Sequence, residues 1–445
     1  MGAGRTINRA AHIEGAAVIC CDMRRLAFAI LPVVAAAFLF LLSGCSQADP
    51  TIDVYADVTV LSDELVAVSV RVEASSLPDG EYVPFAFYPP LFSSRETLPV
   101  TDDAFAAACP DGFDAGEVLD FRAGGDVAAY TQSGCLLRVC PKRRGGTLSF
   151  CFDYTLRVPV NAMRYGRDEF ALRLADFLPR LCLFGGEYRE YDCLPIGDPF
   201  AFDAADYRLR VTHPDGMTLA APGEVAATED GATVYLADAR DCTLVLLKDP
   251  DTAVASDGAF AVTAYARDEA KARSAADLAL SSAAYFREKI GAPVRDALTV
   301  VVLPFYAGGM EYCGLVYVAD SLSASAASAC VVHETAHLWW YDSVGFDQVA
   351  EPWKDEALAQ SCMFAYFCDK LPPFGYTLVE SAVAASPAGT DFRRPLSEYE
   401  SEADYHRSVY CAAATKLYAL RSLGDEKFFG ALSDFFADRR GGVAK

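Results

Sequence analysis

The first part of the chain alternates apolar and polar positions over short runs. Between Thr51 and about Tyr265 these runs include VYADVTVL, LVAVSVRVEA, TLSFCFDYTLRV, DYRLRVTH and ATVYLADARDCTLVLL, and Pro-Asp-Gly turns interrupt them near Asp79 and Asp215. Alternation with a period of two is typical of strands that bury one face. We therefore predict an all-β domain over residues 46–265, built as a sandwich or an open curved sheet.

The pattern changes at Ala266. The segment RDEAKARSAADLALSSAAYFREKIG carries apolar residues at helical spacing and contains no Gly or Pro before Gly291. A strand ALTVVVLPF, a glycine-rich edge YAGGMEYCGLVYV and two helical stretches around His333 and Glu356 follow. This order predicts a mixed α/β domain over residues 266–445, so the fold class is expected to be α+β and multidomain.

Residues 1–45 resemble a bacterial lipoprotein signal peptide. Arg24 and Arg25 precede an apolar run from Leu26 to Leu42, and the run ends in Leu-Ser-Gly-Cys at Cys45. This resemblance implies lipidation of Cys45 and an extracytoplasmic protein anchored to the bacterial cell membrane. The alternative is a plain N-terminal transmembrane anchor, because 17 apolar residues, Leu26 to Leu42, approach a membrane span.

The net charge of the chain argues against one class of partner. Lys and Arg number 38 against 61 Asp and Glu, so the formal net charge is -23. Such an acidic chain repels phosphate backbones, which argues against a nucleic acid partner.

Of the 15 cysteines, Cys20, Cys21 and Cys45 belong to the signal, which leaves twelve. An even number outside the cytoplasm permits disulfides, and the closely spaced candidates are Cys135, Cys140 and Cys151.

A metal-binding pattern lies in the second domain. His333-Glu334-Thr335-Ala336-His337 fits HExxH, and this spacing puts both imidazoles on one face of a helix. Catalytic zinc needs a third protein ligand, for which Glu356 is the candidate after 18 intervening residues. The alternative is a chance match in a solvated helix. Only four histidines follow the signal, however, and two of them are in the motif.

Three segments resemble the aminopeptidase N family of zinc metallopeptidases. HETAHLWW and WKDEALA reproduce its HExxH-x18-Glu pattern, with Ala357 where the family usually has Gly. Gly308-Gly309-Met310-Glu311-Tyr312 matches its Gly-Ala-Met-Glu-Asn signature except at the second and last positions. VYCAAATKLYALRSLGDEKFF places the family's catalytic tyrosine at Tyr410. FALRLADFLPRLC and DYRLRVTHPDGM look like parts of its N-terminal β-saddle, whereas its large C-terminal helical domain is not seen.

The resemblance implies a thermolysin-like catalytic domain with one zinc ion. His333, His337 and Glu356 would bind the metal, Glu334 would be the general base, and Tyr410 would stabilise the oxyanion. Peptide substrates would bind along Gly308, Gly309 and Met310, with the free amine at Glu311. A second amine-binding residue from the β domain is implied but not located.

The expected function is a membrane-tethered zinc aminopeptidase. Two alternatives stay open at this point: an endopeptidase with an open cleft, and a peptide-binding scaffold with little turnover.

Lys354 and Asp355 are candidates for orienting Glu356. His406 is expected on a helix surface, and Trp339 and Trp340 in the core.

Overall fold

The computed structural model of the protein describes residues 50–444, so the apolar N-terminal run and the predicted lipidation site Cys45 lie outside the described residues. The strands are β1 (Thr51–Val60), β2 (Leu65–Leu77), β3 (Val83–Ala86), β4 (Glu117–Gly125), β5 (Val127–Ser133), β6 (Leu136–Pro141), β7 (Gly146–Arg157), β8 (Tyr165–Arg167), β9 (Ala171–Leu174), β10 (Arg180–Leu181), β11 (Ala205–Thr212), β12 (Met217–Ala220), β13 (Glu224–Thr228), β14 (Gly231–Ala239), β15 (Leu244–Lys248), β16 (Asp251–Ser256), β17 (Ala261–Ala266), β18 (Ala297–Leu303), β19 (Gly309–Tyr312), β20 (Leu315–Ala319), β21 (Val344–Phe346) and β22 (Gly442–Ala444).

The helices follow mainly in the second half of the chain. They are α1 (Asp102–Ala108), α2 (Glu269–Lys289), α3 (Ala324–Ala336), α4 (Trp353–Lys370), α5 (Pro372–Ala385), α6 (Glu402–His406), α7 (Ala414–Tyr418) and α8 (Asp425–Arg439). Two π-helical segments span Leu338–Ser343 and Arg407–Ala413, and 3-10 helices span Pro89–Ser93, Leu396–Glu398 and Ala419–Leu423. The presence of both element types in quantity confirms the predicted α+β class.

A seven-stranded sheet in the order β13-β14-β11-β1-β2-β7-β4 forms the largest layer of the N-terminal part. Alternate residues of its strands are buried, as Val54, Ala56 and Val58 are in β1. Two four-stranded sheets, β10-β3-β6-β5 and β12-β15-β9-β8, share the same core. Phe85 of β3, for example, packs edge-on against Phe150 of β7 with ring centroids 5.2 Å apart. The alternation in the sequence thus marks sheets with one face against a common core.

A five-stranded mixed sheet, β16-β17-β18-β20-β19, carries the second core. β17, β18 and β20 run parallel, and β19 lies antiparallel at the edge. The small residues Ala272, Ala275, Ala276 and Ala279 of α2 are buried in this core. Because β19 is the edge strand, one side of its backbone is available at the sheet edge, next to α3.

Two strands belong to a different sheet from the one that their position in the sequence suggests. β16 and β17 lie mostly within the range predicted for the β domain, yet they pair with each other and with β18 in the five-stranded sheet. Local alternation predicts a strand but not its partner, because the partner is a segment distant in the chain. The domain boundaries themselves stay a prediction.

Within residues 50–444 no helix has the length and apolar character needed to cross a membrane. The twelve cysteines of this part are free thiols, including the disulfide candidates Cys135, Cys140 and Cys151.

Candidate active site

The two histidines of the HExxH sequence lie at the C-terminal end of α3. Ser323 caps the start of this helix, and its hydroxyl accepts a hydrogen bond from the Ala326 N–H at 3.3 Å. Val331 and Val332 pack into the second core and fix the rotation of the helix. His333 and His337 consequently share one face, both buried, with ring centroids 4.8 Å apart.

Glu356, in the first turn of α4, supplies a third ligand atom. Its Oε2 lies 3.2 Å from His333 Nε2 and 3.5 Å from His337 Nε2, and the two Nε2 atoms are 3.1 Å apart. In a tetrahedral site with metal–ligand distances of about 2.0–2.1 Å, neighbouring ligand atoms stand about 3.4 Å apart. The three predicted ligands therefore fit a single zinc ion.

Hydrogen bonds orient two of these ligands. His337 Nδ1 donates to the backbone carbonyl oxygen of Trp340 at 3.3 Å, which leaves Nε2 as the metal-binding nitrogen. Trp340 is fully buried, as is Trp339. Asp355 Oδ1 accepts a hydrogen bond from the Glu356 N–H at 2.8 Å.

Lys354 does not take part in this arrangement. Its ammonium pairs with Glu351 at 2.5 Å. Of the two residues proposed to orient Glu356, the structure brings only Asp355 into contact with it.

Glu334 lies against the edge strand β19. A Cβ at position 309 would stand 2.3 Å from Glu334 Oε1, so glycine is required for this approach. Glu334 Oε2 has no hydrogen-bond partner among the described residues. Burial, together with the charges of Glu356 and Asp198, raises the pKa of Glu334 to about 8.

Glu311 lies on β19 and is linked to the metal ligands through other side chains. Gln348 Nε2 donates to Glu311 Oε1 at 3.1 Å and to Asp355 Oδ2 at 2.5 Å. Asp355 in turn holds the backbone of Glu356, so one chain of contacts fixes Glu311 relative to the ligand set. Gln348 has no motif around it in the sequence, and its role could only be found from the structure.

A second carboxylate comes from the N-terminal part of the chain. Asp198, in the loop between β10 and β11, places a carboxylate oxygen within 4.8 Å of oxygens of Glu311 and Glu356. Arg164 Nη2 donates to Asp198 Oδ1 at 2.7 Å. Neither Asp198 nor Arg164 could be predicted as a site residue, because neither lies in a motif and the loop that carries Asp198 is distant from the second domain in the chain.

The cleft concentrates acidic side chains. Burial holds the pKa of Glu311 well above its usual range, with the Asp198 charge adding to the effect. Burial alone would lower the pKa of His337, but the carboxylates of Glu311, Glu356 and Glu334 hold it well above the usual range. The site is thus built to receive positive charge.

Tyr410 lies in the π-helical segment Arg407–Ala413, and its ring is 5.7 Å from that of His333. Burial and the Glu356 charge hold the pKa of its hydroxyl well above the usual range, so the phenol stays a hydrogen-bond donor. π-Helical turns are frequent at functional sites.

One open cleft is lined by Gly308 and Gly309 together with Arg164, Asp198, Glu311, His333, Glu334, Glu356 and Tyr410. Met310 is buried and also lines it. The Gly308 carbonyl accepts a hydrogen bond from the Ala319 N–H at 2.9 Å. The structure therefore brings the predicted metal ligands, Glu334, Glu311 and Tyr410 together beside an edge strand.

Scans against protein-family models and against curated proteins gave no match. Solved structures gave matches over most of the chain. An M1 zinc metallopeptidase from Deinococcus radiodurans is 15% identical over 90% of this chain and 89% of that chain, with a TM-score of 0.59.

Two further structures match equally well. A mutant M1 zinc metallopeptidase from Deinococcus radiodurans bound to a Tyr-Ser-Ala substrate is 16% identical over 89% of this chain and 88% of that chain, with a TM-score of 0.58. A mutant two-domain M1 zinc metallopeptidase bound to L-tryptophan is 15% identical over 90% of both chains, with a TM-score of 0.59. At this identity the likeness concerns the fold, and the described chain has the fold of the M1 zinc metallopeptidases, the aminopeptidase N family that the sequence resembles.

Proposed function

We propose that the chain is a zinc aminopeptidase that removes the first residue from peptides. The observation that carries this proposal is the convergence of His333, His337 and Glu356 to within 3.1–3.5 Å of one another, next to the carboxylates of Glu311 and Asp198. The similar structures support it, since they are named zinc metallopeptidases and one is described with a Tyr-Ser-Ala substrate.

The residues divide the chemistry among them. When bound, zinc supplies Lewis-acid polarisation of the scissile carbonyl and of the attacking water. Glu334 accepts the proton of the water through its unpaired Oε2 and then delivers it to the departing amine. Tyr410, half-buried and protonated, donates a hydrogen bond to the oxyanion that develops in the transition state.

Glu311 and Asp198 restrict cleavage to the first peptide bond, which makes the enzyme an exopeptidase. Two carboxylates fixed close to Glu356 bind the free α-ammonium and hold the first peptide bond next to the metal ligands. The edge strand β19 offers backbone groups beside the peptide, with Gly309 allowing the close approach to Glu334. Asp198 fills the second amine-binding position that the sequence resemblance implies.

The test compares free and N-acetylated forms of one peptide series, using the full chain purified in detergent. We expect chelator-sensitive release of the first residue from the free peptides, none from the acetylated peptides, and none from Glu334→Gln. Glu334→Gln should retain its zinc, which separates loss of the base from loss of the metal.

Other outcomes select the alternatives. Internal cleavage of acetylated peptides at a comparable rate would indicate an endopeptidase with an open cleft. Stoichiometric zinc and measurable peptide binding without turnover would indicate a scaffold.

We also propose that the protein acts outside the cytoplasm, tethered to the bacterial membrane by lipid at Cys45. The Leu-Ser-Gly-Cys sequence after the apolar run supports this location. Cells fed an alkyne-labelled fatty acid should label the wild type but not Cys45→Ser. Membrane association without label in the wild type would indicate the plain transmembrane anchor instead.

A further inference from the structure

Two cysteines of the N-terminal part meet at the segment that carries Asp198. Cys135 directly precedes β6, and its thiol donates to the backbone carbonyl oxygen of Tyr191 at 3.7 Å. Burial raises the pKa of this thiol to about 11, and the backbone N–H of Cys193, which faces the same sulfur, opposes the rise. The Cys135 sulfur therefore lies against the stretch of backbone that carries the Cys193 side chain.

The two thiols also share a neighbour. Burial holds the pKa of the Tyr88 phenol well above its usual range, and Cys193 and Cys135 both add to this rise. Cys135 is 3% exposed, and Cys193 is half-buried. A disulfide requires Cα atoms less than about 7 Å apart. A sulfur that lies against the backbone of the other cysteine brings the pair into about this range.

Three other cysteines near Cys135 in the fold or in the sequence do not have this geometry. Cys182 follows β10, and β3 separates β10 from β6, so two strand spacings of together about 9–10 Å lie between them. Cys140 lies five positions further along the extended chain of β6, or about 17 Å away. Cys151 belongs to β7 in the seven-stranded sheet. Cys193 is therefore the best-placed partner for Cys135.

A bond at Cys193 would act on the cleft. Residues 182–204, all of them described, connect β10 and β11 with single-residue bridges and no helix. The Tyr191 hydroxyl donates to Asp347 Oδ2 at 2.7 Å, which ties this segment to the second half of the chain. Because Cys193 lies between Tyr191 and Asp198, a covalent bond there restricts the backbone five residues before the proposed amine-binding carboxylate.

We propose that Cys135 and Cys193 form a disulfide in the exported protein, and that this bond fixes the segment that carries Asp198. The proposal rests on the proposed extracytoplasmic location, because disulfides persist in oxidising compartments. Both thiols give up their protons and the S–S bond forms. The two electrons pass to the disulfide of an oxidoreductase or of a small molecule, which becomes two thiols. We expect the bond to form during folding, before Cys135 is buried.

The first test counts thiols in the full chain, purified in detergent from the membranes of a bacterium with an oxidising envelope. Reduction should add two alkylated thiols to the denatured wild type and none to the double variant Cys135→Ala/Cys193→Ala. Mass spectrometry of the unreduced wild type should find the peptide with Cys135 linked to the peptide with Cys193. Free thiols at both positions, or a link from Cys135 to Cys182, would overturn the proposal.

Thermal unfolding distinguishes a bond from two thiols in contact. Loss of the bond should lower the Tm by on the order of 5–10 °C in each single variant, and the double variant should fall no further. A reductant should lower the Tm of the wild type and leave the variants unchanged. The matched control is Cys140→Ala, half-buried on β6, which should keep the wild-type response to reductant.

Kinetics test the effect on the cleft. The double variant should raise KM for free-amine substrates by on the order of threefold or more, with unchanged zinc content, because Asp198 is held less firmly. Cys140→Ala should keep the wild-type KM. A wild-type KM in the double variant would show that the bond does not fix the Asp198 segment.

The outcomes separate this proposal from the proposed function and location. An enzyme that releases no first residue would refute the aminopeptidase proposal, while the thiol count and the Tm still decide whether the bond exists. If Cys45 takes up no lipid, the reduced and denatured chain is refolded in a buffer of reduced and oxidised glutathione. The same Cys135–Cys193 link should form there, and its absence would refute the pairing independently of location.

Discussion

The imidazole ring of His406 stacks on the phenol ring of Tyr410, with ring centroids 5.1 Å apart and 13° between the ring planes. Tyr405 meets the same phenol edge-on at 5.8 Å. His406 is exposed, as expected from the sequence, but it does more than cover a helix surface. Together with Tyr405 it restricts the direction of the Tyr410 ring in the π-helical segment.

We predict that His406 positions Tyr410 for catalysis. An aromatic pair contributes about 0.5–1.5 kcal/mol, which corresponds to about 2- to 12-fold in rate. His406→Ala should lower kcat within that range with little change in KM, whereas His406→Phe, which can keep the stack, should retain most of kcat. Equal kcat values for wild type and His406→Ala would contradict the prediction.

Removal of the Tyr410 hydroxyl should slow the reaction far more. Loss of one donor to an oxyanion typically costs about 10²–10³ in kcat. We expect Tyr410→Phe to lose a factor in that range, with unchanged zinc content and unchanged thermal unfolding. A variant with near wild-type kcat would assign the oxyanion contact to another group.

The local parts of the site could be predicted from the sequence. His333 and His337 lie four residues apart on one helix, so their convergence follows from helix geometry alone. Glu311 and Tyr410 do not follow from such geometry, and they were located through short signatures shared with a family.

The parts assembled from distant segments could not be predicted. Asp198 reaches the cleft from a loop before β11, and Gln348 joins Glu311 to Asp355 from outside any motif. Each depends on how loops distant in the chain pack beside the cleft, and no spacing in the sequence encodes that contact. The strand pairing of β17 with β18 escaped prediction for the same reason.

A methyl group at position 309 should displace the general base. The Cβ of Gly309→Ala would stand 2.3 Å from Glu334 Oε1 and 2.6 Å from Cys330 Sγ. We expect a fall in kcat on the order of tenfold or more, since small misplacements of catalytic groups are costly. Gly308→Ala is the matched comparison, because its Cβ would meet no heavy atom within 4 Å. A larger loss for Gly308→Ala than for Gly309→Ala would refute this steric explanation.

The amine-binding roles of Asp198 and Glu311 predict a selective defect. A hydrogen bond to a charged group contributes about 1.5–3 kcal/mol, or about 10- to 150-fold in affinity. Asp198→Asn and Glu311→Gln should each lower kcat/KM for free-amine substrates within that range and leave zinc content unchanged. An Asp198→Asn enzyme with wild-type kcat/KM would remove Asp198 from the amine site.

Metal removal should destabilise the protein, and the carboxylate cluster explains why. Without a cation, the buried acidic side chains of Glu356, Glu311 and Glu334 and the half-buried Asp198 crowd around His333 and His337. Zinc at about 1,000 times its Kd should add about 4 kcal/mol to the free energy of unfolding and raise the Tm of chelator-treated protein. Glu356→Gln should abolish this rise. Its metal-free Tm should fall below that of the metal-free wild type, because Glu356 pairs with His333 and His337 at 3.2 and 3.5 Å and removing one partner of a buried pair is destabilising. Thermal unfolding of both proteins, with zinc and with magnesium as control, measures these shifts. An identical Tm of the wild type with and without zinc would contradict a metal site at this cluster.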